Sequence, residues 1–170
     1  ASILFLWLAN FGAAVAMRRG THMRTTALVS RWSPHVQAWG ETLAYAAPLL
    51  FLVILIGPMS EYARDEWVVE TPALGWPNTL RAAAVPAGCG LMIALCALRV
   101  ARRGLLELLG VGVTIAALAG ALWAGSGWLE GIGNWNLLIF FAGLIGAGVL
   151  LGVPIAFCFG LATVAFLLCT

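Results

Sequence analysis

Residues that could carry acid–base, nucleophilic or metal chemistry are few in this sequence. Its two histidines, His22 and His35, lie 13 residues apart, and no serine or cysteine near either belongs to a nucleophile motif. The four cysteines lie within apolar runs and form neither a CxxC pair nor a Cys/His zinc pattern. No glycine-rich loop has the spacing of a phosphate-binding loop. We therefore expect no catalytic residue, no metal site, no cofactor and no enzymatic activity.

One carboxylate, Glu107, stands near the start of an apolar run and could enter the hydrocarbon of a membrane. An acid at that depth usually marks the path of an ion. Glu107 also follows Arg103 by about one helical turn, the spacing of a pair on one helix face. We expect this second reading, an ion pair between Arg103 and Glu107 at a helix end.

All nine basic residues are arginines, and they cluster beside the apolar runs. Arg18, Arg19 and Arg24 stand with His22 after the first run, so the positive-inside rule places this segment in the cytoplasm. We expect these residues to fix orientation and to meet anionic lipid headgroups, not to bind substrate. No single basic face exists, so nucleic acid is not an expected partner. The other inner arginines are Arg31, Arg99, Arg102 and Arg103.

Composition identifies the elements that must position these residues. The 170-residue chain is 62% hydrophobic and 9% charged, with a mean hydropathy of +1.00, whereas soluble domains carry about 25% charged residues. The sequence predicts an all-α integral membrane protein with about five transmembrane helices and the start of a sixth. A short amphipathic helix in the interface is expected around Trp32, Val36 and Trp39. The predicted spans are residues 1–17, 43–59, 82–98, 105–124 and the run from 137 onward.

Two features refine this list of spans. Pro48 and Gly57-Pro58 predict a kink and an end in the second span. The last run, residues 137–170, holds 34 uncharged residues, or about 50 Å of helix, against about 30 Å of hydrocarbon. A cytoplasmic turn at Gly152 and Pro154 is therefore expected, with the proline in the first turn of the second helix.

Two stretches resemble the tripartite ATP-independent periplasmic (TRAP) transporters. The segment FLWLANFGAAVAMRRGTHMR, residues 5–24, is similar to the second span of their small permease subunit, and Pro86 begins a span as in that subunit's last helix. The segment LLGVPIAFCFGLA, residues 150–162, resembles the opening of the large permease subunit, although Cys158 and Phe159 replace smaller or aliphatic residues. The matching residues are Trp7, Phe11, Gly12, Arg18, Arg19, Gly20 and His22, then Gly152, Pro154, Ile155, Ala156, Phe157 and Gly160.

The order of these stretches resembles a fused permease. It implies a small-permease-like region over residues 1–104 that lacks its first helix, a linker helix and outer loop over 105–133, and the beginning of a large-permease-like region over 134–170. The resemblance further implies uptake of organic acids across the bacterial inner membrane, with a periplasmic solute-binding protein, the large permease subunit or domain, and a sodium gradient. The substrate and sodium sites would lie outside this chain. A structural or assembly protein without transport activity is the alternative.

Overall fold

A computed structural model describes residues 2–19, 33–71, 75–125, 127, 131, 133 and 135–169. These residues form helices and connecting turns, and their only β-type pairing is an isolated bridge between Glu70 and Pro77. The expected all-α fold is confirmed for this part of the chain. The helices are α1 (Ser2–Arg19), α2 (Pro34–Asp65), α3 (Thr79–Ala82), α4 (Ala84–Ala101), α5 (Leu105–Ala124), α6 (Trp135–Leu150) and α7 (Ile155–Cys169).

Helix α2 differs from its prediction because it is 32 residues long and contains Pro48, Gly57 and Pro58 in its interior. The predicted end at Gly57-Pro58 is therefore wrong. The hydrocarbon core of a membrane has no water to hydrogen-bond the backbone N–H and C=O groups that a helix end would leave unpaired. A helix that continues through a proline leaves fewer of these groups unpaired. At 1.5 Å per residue α2 is about 48 Å long, more than the roughly 30 Å of a hydrocarbon core.

The structure also differs from the prediction of a separate interfacial helix around Trp32, Val36 and Trp39. Val36 and Trp39 lie in the first two turns of α2, which continues into the apolar run without a break. Trp32 and residues 20–31 lie outside the described part. Membrane helices longer than the hydrocarbon can extend into the interface, so one continuous helix accounts for both the tryptophan and the span.

Three helices are long and apolar enough to cross a membrane, counted over the described residues: residues 34–68 with α2, residues 79–101 with α3 and α4, and α5. The bounds of α5 are those expected from the sequence. The 18 residues of α1 include Arg18 and Arg19 and do not meet the same criterion. Helices α6 and α7 are apolar but shorter. These helices identify a multi-pass membrane protein, and the count of five spans stays a prediction.

The helices divide into two compact units, each described here by itself. The first contains α1, the second half of α2, α3 and most of α4. In this unit Ile56 of α2 approaches Gly90 and Met59 contacts Cys89 of α4, so these two helices are antiparallel. Trp7 of α1 meets Leu80 and Asn10 meets Gly88, so α1 runs parallel to the chain from α3 into α4. The three helices therefore alternate in direction along the chain, as consecutive spans must.

The second unit contains the start of α2 and everything from Arg99 onward. Helices α6 and α7 form an antiparallel hairpin in which Phe140 is fully buried and meets Phe166 edge to face, with ring centroids 5.7 Å apart. Such aromatic pairs contribute about 0.5–1.5 kcal/mol beyond their buried area. Residues 138–144 of α6 are π-helical. Leu122 of α5 packs against the same cluster.

The turn of this hairpin has the hydrogen bonds of a Schellman motif. Helix α6 ends at Leu150, the Gly152 N–H bonds the Val149 carbonyl, and the Val153 N–H bonds the Gly148 carbonyl. Gly152 has φ +85°, a left-handed conformation that glycine adopts without the penalty of a Cβ. The Pro154 carbonyl accepts the N–H groups of Phe157 and Cys158. Pro154 therefore directly precedes α7, one position before the place expected for it.

Candidate functional site

Several connected polar side chains among the described residues of the second unit join the start of α2 to the end of α4, the start of α5 and the segment between them. We call this group the polar clasp; it consists of Glu41, Thr42, Tyr45, Arg99, Arg103 and Glu107. Two of its contacts involve arginines. Arg103 forms an ion pair with Glu41 at 2.8 Å, and Arg99 donates to the Tyr45 hydroxyl while its guanidinium lies 4.8 Å from the centre of the Tyr45 ring. Glu41 and Tyr45 are four residues apart in α2, and Arg103 and Arg99 are four residues apart in the opposite order, so the two pairs stack along one antiparallel seam.

The third contact of the polar clasp corrects the pairing expected for Glu107. Its Oε2 accepts the hydroxyl of Thr42 at 3.1 Å, whereas Arg103 pairs with Glu41. The Thr42 hydroxyl also points to the Ala38 carbonyl at 2.9 Å, so its one hydrogen is shared between two acceptors. Glu107 lies in the first turn of α5, where the helix dipole favours a negative charge. These interactions give Glu107 a structural role.

The Thr42–Glu107 and Glu41–Arg103 contacts of the polar clasp differ in burial, and burial determines which of the two contributes more to stability. Thr42 is completely buried, whereas the side chains of Glu41 and Arg103 are 51% and 28% exposed. Exposed ion pairs contribute about 0.2–1 kcal/mol, and a hydrogen bond to a charged group contributes about 1.5–3 kcal/mol. We predict that Thr42→Val lowers the free energy of unfolding by roughly 1–2 kcal/mol, because the hydroxyl is shared.

The matched control for Thr42→Val is Glu41→Ala, one residue away on the same helix. It should cost less than about 1 kcal/mol, because its ion pair is exposed. Unfolding of both purified proteins in the same detergent measures the difference. A larger loss from Glu41→Ala than from Thr42→Val would contradict this ranking.

In the first unit, polar contacts fix the segment between α2 and α4. The amide of Asn78, which is buried, donates to the Glu66 carboxylate, and the Asn78 backbone N–H donates to the Val69 carbonyl at 2.7 Å. The indole N–H of Trp7 donates to the Leu80 carbonyl at 2.9 Å and so ties α1 to α3. Hydrogen bonds of side chains thus fix both ends of the short segment between α2 and α4.

Helices α1 and α4 approach each other closely in the first unit. A Cβ added to Gly88 would stand 2.6 Å from the Cβ of Asn10 and 2.8 Å from its Oδ1, so only glycine fits this contact. The Asn10 amide donates to the Leu6 carbonyl of its own helix. Small residues that let helix backbones approach closely are the usual basis of helix association in lipid.

Residues singled out in the sequence fall in different places. Arg18 and Arg19 are exposed in the last turn of α1, where the helix dipole favours cations. His22 and Arg24 lie outside the described residues. Gly152 and Pro154 form the turn of the α6–α7 hairpin. The sequence pointed to Arg99, Arg103 and Glu107 of the polar clasp but not to their partners Glu41, Thr42 and Tyr45, although a threonine and a tyrosine three residues apart at the start of an apolar helix could have indicated them.

The described residues contain no cluster of three metal-ligating side chains. Their best-connected polar groups bond to each other, which suits a protein that holds helices in place. The sequence profile of the tripartite ATP-independent periplasmic transporters, DctQ component, matches residues 1–104. The chain belongs to this family. No curated protein and no solved structure matches it.

Membership in the DctQ family identifies the chain as a membrane component of a TRAP transporter, its small permease component. The match ends at Gly104, directly before α5. Within the polar clasp, Glu107 therefore lies beyond the DctQ match, while its partner Thr42 lies inside it. The hydrogen bond between them joins the DctQ region to the helix that follows it.

Proposed function

We propose that this chain is the membrane scaffold of a TRAP permease, which holds the moving transport domain in the bilayer and does not itself contact the solute. The DctQ match over residues 1–104 is the observation that carries this proposal. The transporter takes up organic acids such as carboxylates and is driven by a sodium gradient. Its partners are the large permease component and a periplasmic solute-binding protein, and its place is the bacterial inner membrane.

The hydrogen bonds of polar side chains within the helices support the proposal that this chain is a scaffold. Ion and carboxylate sites in transporters use charged side chains or unwound backbone near the middle of the membrane. Here five polar side chains of the described apolar helices bond to a carbonyl four residues earlier in their own helix. These residues are Asn10, Thr42, Ser60, Thr114 and Thr163.

We also propose that the DctQ region is fused to the start of the large permease component. In this layout residues 1–104 form the small-permease region, 105–133 supply a linker helix and outer loop, and 134–170 begin the large-permease region. The similarity of residues 150–162 to the large subunit's opening supports it, together with a linker helix, α5, that is bonded to α2 through Glu107. The mass of the native polypeptide tests the fusion, and a chain that carries the small-permease region alone would contradict it.

The scaffold proposal predicts the effect of removing Arg18 and Arg19 together. In the full-length permease, Arg18→Ala with Arg19→Ala should lower membrane insertion or assembly and leave apparent solute affinity nearly unchanged. These residues form the basic last turn of α1, where an apolar helix meets a polar segment of the sequence. Sodium-driven uptake into proteoliposomes, normalised to the amount of protein, measures both quantities.

Arg64→Ala is the matched control for the Arg18 and Arg19 change. Arg64 is also an exposed arginine in the last turn of a helix, but it lies beside Glu61 and Asp65 at the opposite, acidic end. Insertion of the Arg64→Ala protein should be close to that of the unmodified permease. A large rise in the solute concentration for half-maximal uptake at unchanged assembly of the Arg18/Arg19 variant would overturn the scaffold role.

A further inference from the structure

An apolar groove lies in the second unit, between the first turns of α2 and the turn of the α6–α7 hairpin. Ser33, Val36, Trp39 and Leu151 line it, and it has a volume of about 430 Å³. Its lining is mainly apolar, and Ser33 and Trp39 are the lining residues that carry a hydroxyl and an indole N–H. A mainly apolar groove with a few polar groups matches the chemistry of a phospholipid, which joins an acyl chain to a polar headgroup.

Trp39 supplies a hydrogen-bond donor at this groove. Its ring is half-buried and packs beside Gly110 of α5, and its indole N–H donates to no acceptor among the described residues. Tryptophan favours the headgroup level of a membrane because one part of its ring is apolar and its N–H is a donor. The N–H is therefore available to a phosphate or glycerol oxygen.

Arginines lie at the same level as the groove. Glu41, two residues after Trp39 in α2, pairs with Arg103, and Tyr45 one turn further on contacts Arg99. Arg102 stands next to Arg103 and is exposed. A basic cluster beside an opening between membrane helices is the usual setting for a bound anionic headgroup.

We propose that this groove binds an anionic phospholipid from the leaflet at the arginine-bearing end. One acyl chain lies against Val36 and Leu151. The phosphate accepts the Trp39 N–H and is attracted by Arg102, which has no ion-pair partner among the described residues. Charge complementarity selects this lipid over a zwitterionic one, because the positive group of a zwitterionic headgroup offsets much of the attraction between its phosphate and the arginine.

Fluorescence quenching by brominated lipids tests the proposal. The full-length protein is placed in nanodiscs of phosphatidylcholine that contain a small fraction of either brominated phosphatidylglycerol or brominated phosphatidylcholine. The emission of Trp39 is the fluorescence of the unmodified protein minus the fluorescence of the Trp39→Phe protein. At equal fractions, brominated phosphatidylglycerol should quench Trp39 roughly fivefold more effectively, the selectivity expected from one arginine near the surface. Arg102→Ala should remove most of this preference.

Trp123 is the matched control, because it is 79% exposed on α5 and should sample bulk lipid. Its emission, obtained from Trp123→Phe, should be quenched equally by both brominated lipids. Equal quenching of Trp39 by both lipids would show bulk lipid in the groove, and no quenching would show that protein covers it; either result overturns the proposal. Should Trp39→Phe fail to accumulate, mass spectrometry of lipid retained by unmodified and Arg102→Ala protein decides, since the proposal requires phosphatidylglycerol to be lost from the variant.

Discussion

Replacement of Gly88 by leucine is expected to be among the most destabilising single changes in the first unit. A Cβ added at this position would stand 2.6 Å from the Cβ of Asn10, an atom next to the backbone of α1 that no rotation of the Asn10 side chain can move away. The larger side chain must push α1 away from α4. Overpacking of this kind costs about 1–3 kcal/mol and can cost more where backbone has to shift.

The thermal midpoint in detergent measures the effect of Gly88→Leu, and a drop of several degrees is expected for a chain of this size. Gly12→Leu is the matched control, because Gly12 lies in α1 with no atom within 4 Å of an added Cβ. It should leave the midpoint nearly unchanged. Equal midpoints for the two variants would show that the close approach at Asn10 does not limit packing.

Replacement of Gly152 by alanine should destabilise the α6–α7 hairpin, while the same change at Gly146 should not. Gly152 has φ +85° at the end of α6, and an L-residue in the left-handed region costs about 1–2 kcal/mol. Gly146 is helical and open, so alanine there should add about 0.5–1 kcal/mol by restricting the unfolded chain. The two substitutions add the same methyl group and are predicted to have opposite signs.

Chemical or thermal unfolding of both variants in one detergent measures this contrast. A Gly152→Ala protein as stable as the Gly146→Ala protein would contradict the left-handed turn. A hairpin that lacks its turn would lose the antiparallel contact between Phe140 and Phe166.

The sequence by itself determined the class of protein, because hydropathy belongs to each residue whatever its neighbours are. The bounds of α5 followed from an apolar run between two glycines that only Glu107 interrupts, and the structure reproduces them. The turn at Gly152 could also be predicted from the sequence, because it depends on neighbouring residues only. A glycine two residues before a proline in an uncharged run indicates a turn, and Gly152 has the positive φ that such a turn requires.

Only the tertiary structure decided which distant residues meet. Arg103 pairs with Glu41 and not with Glu107, four residues away on the chain, because α2 presents a carboxylate and a hydroxyl to two different positions. Gly57-Pro58 was expected to end the second span, yet α2 continues through it, since the hydrocarbon of a membrane has no water to satisfy an opened backbone. The contact between Asn10 and Gly88 likewise depends on which faces of two helices meet, and no local pattern records that choice.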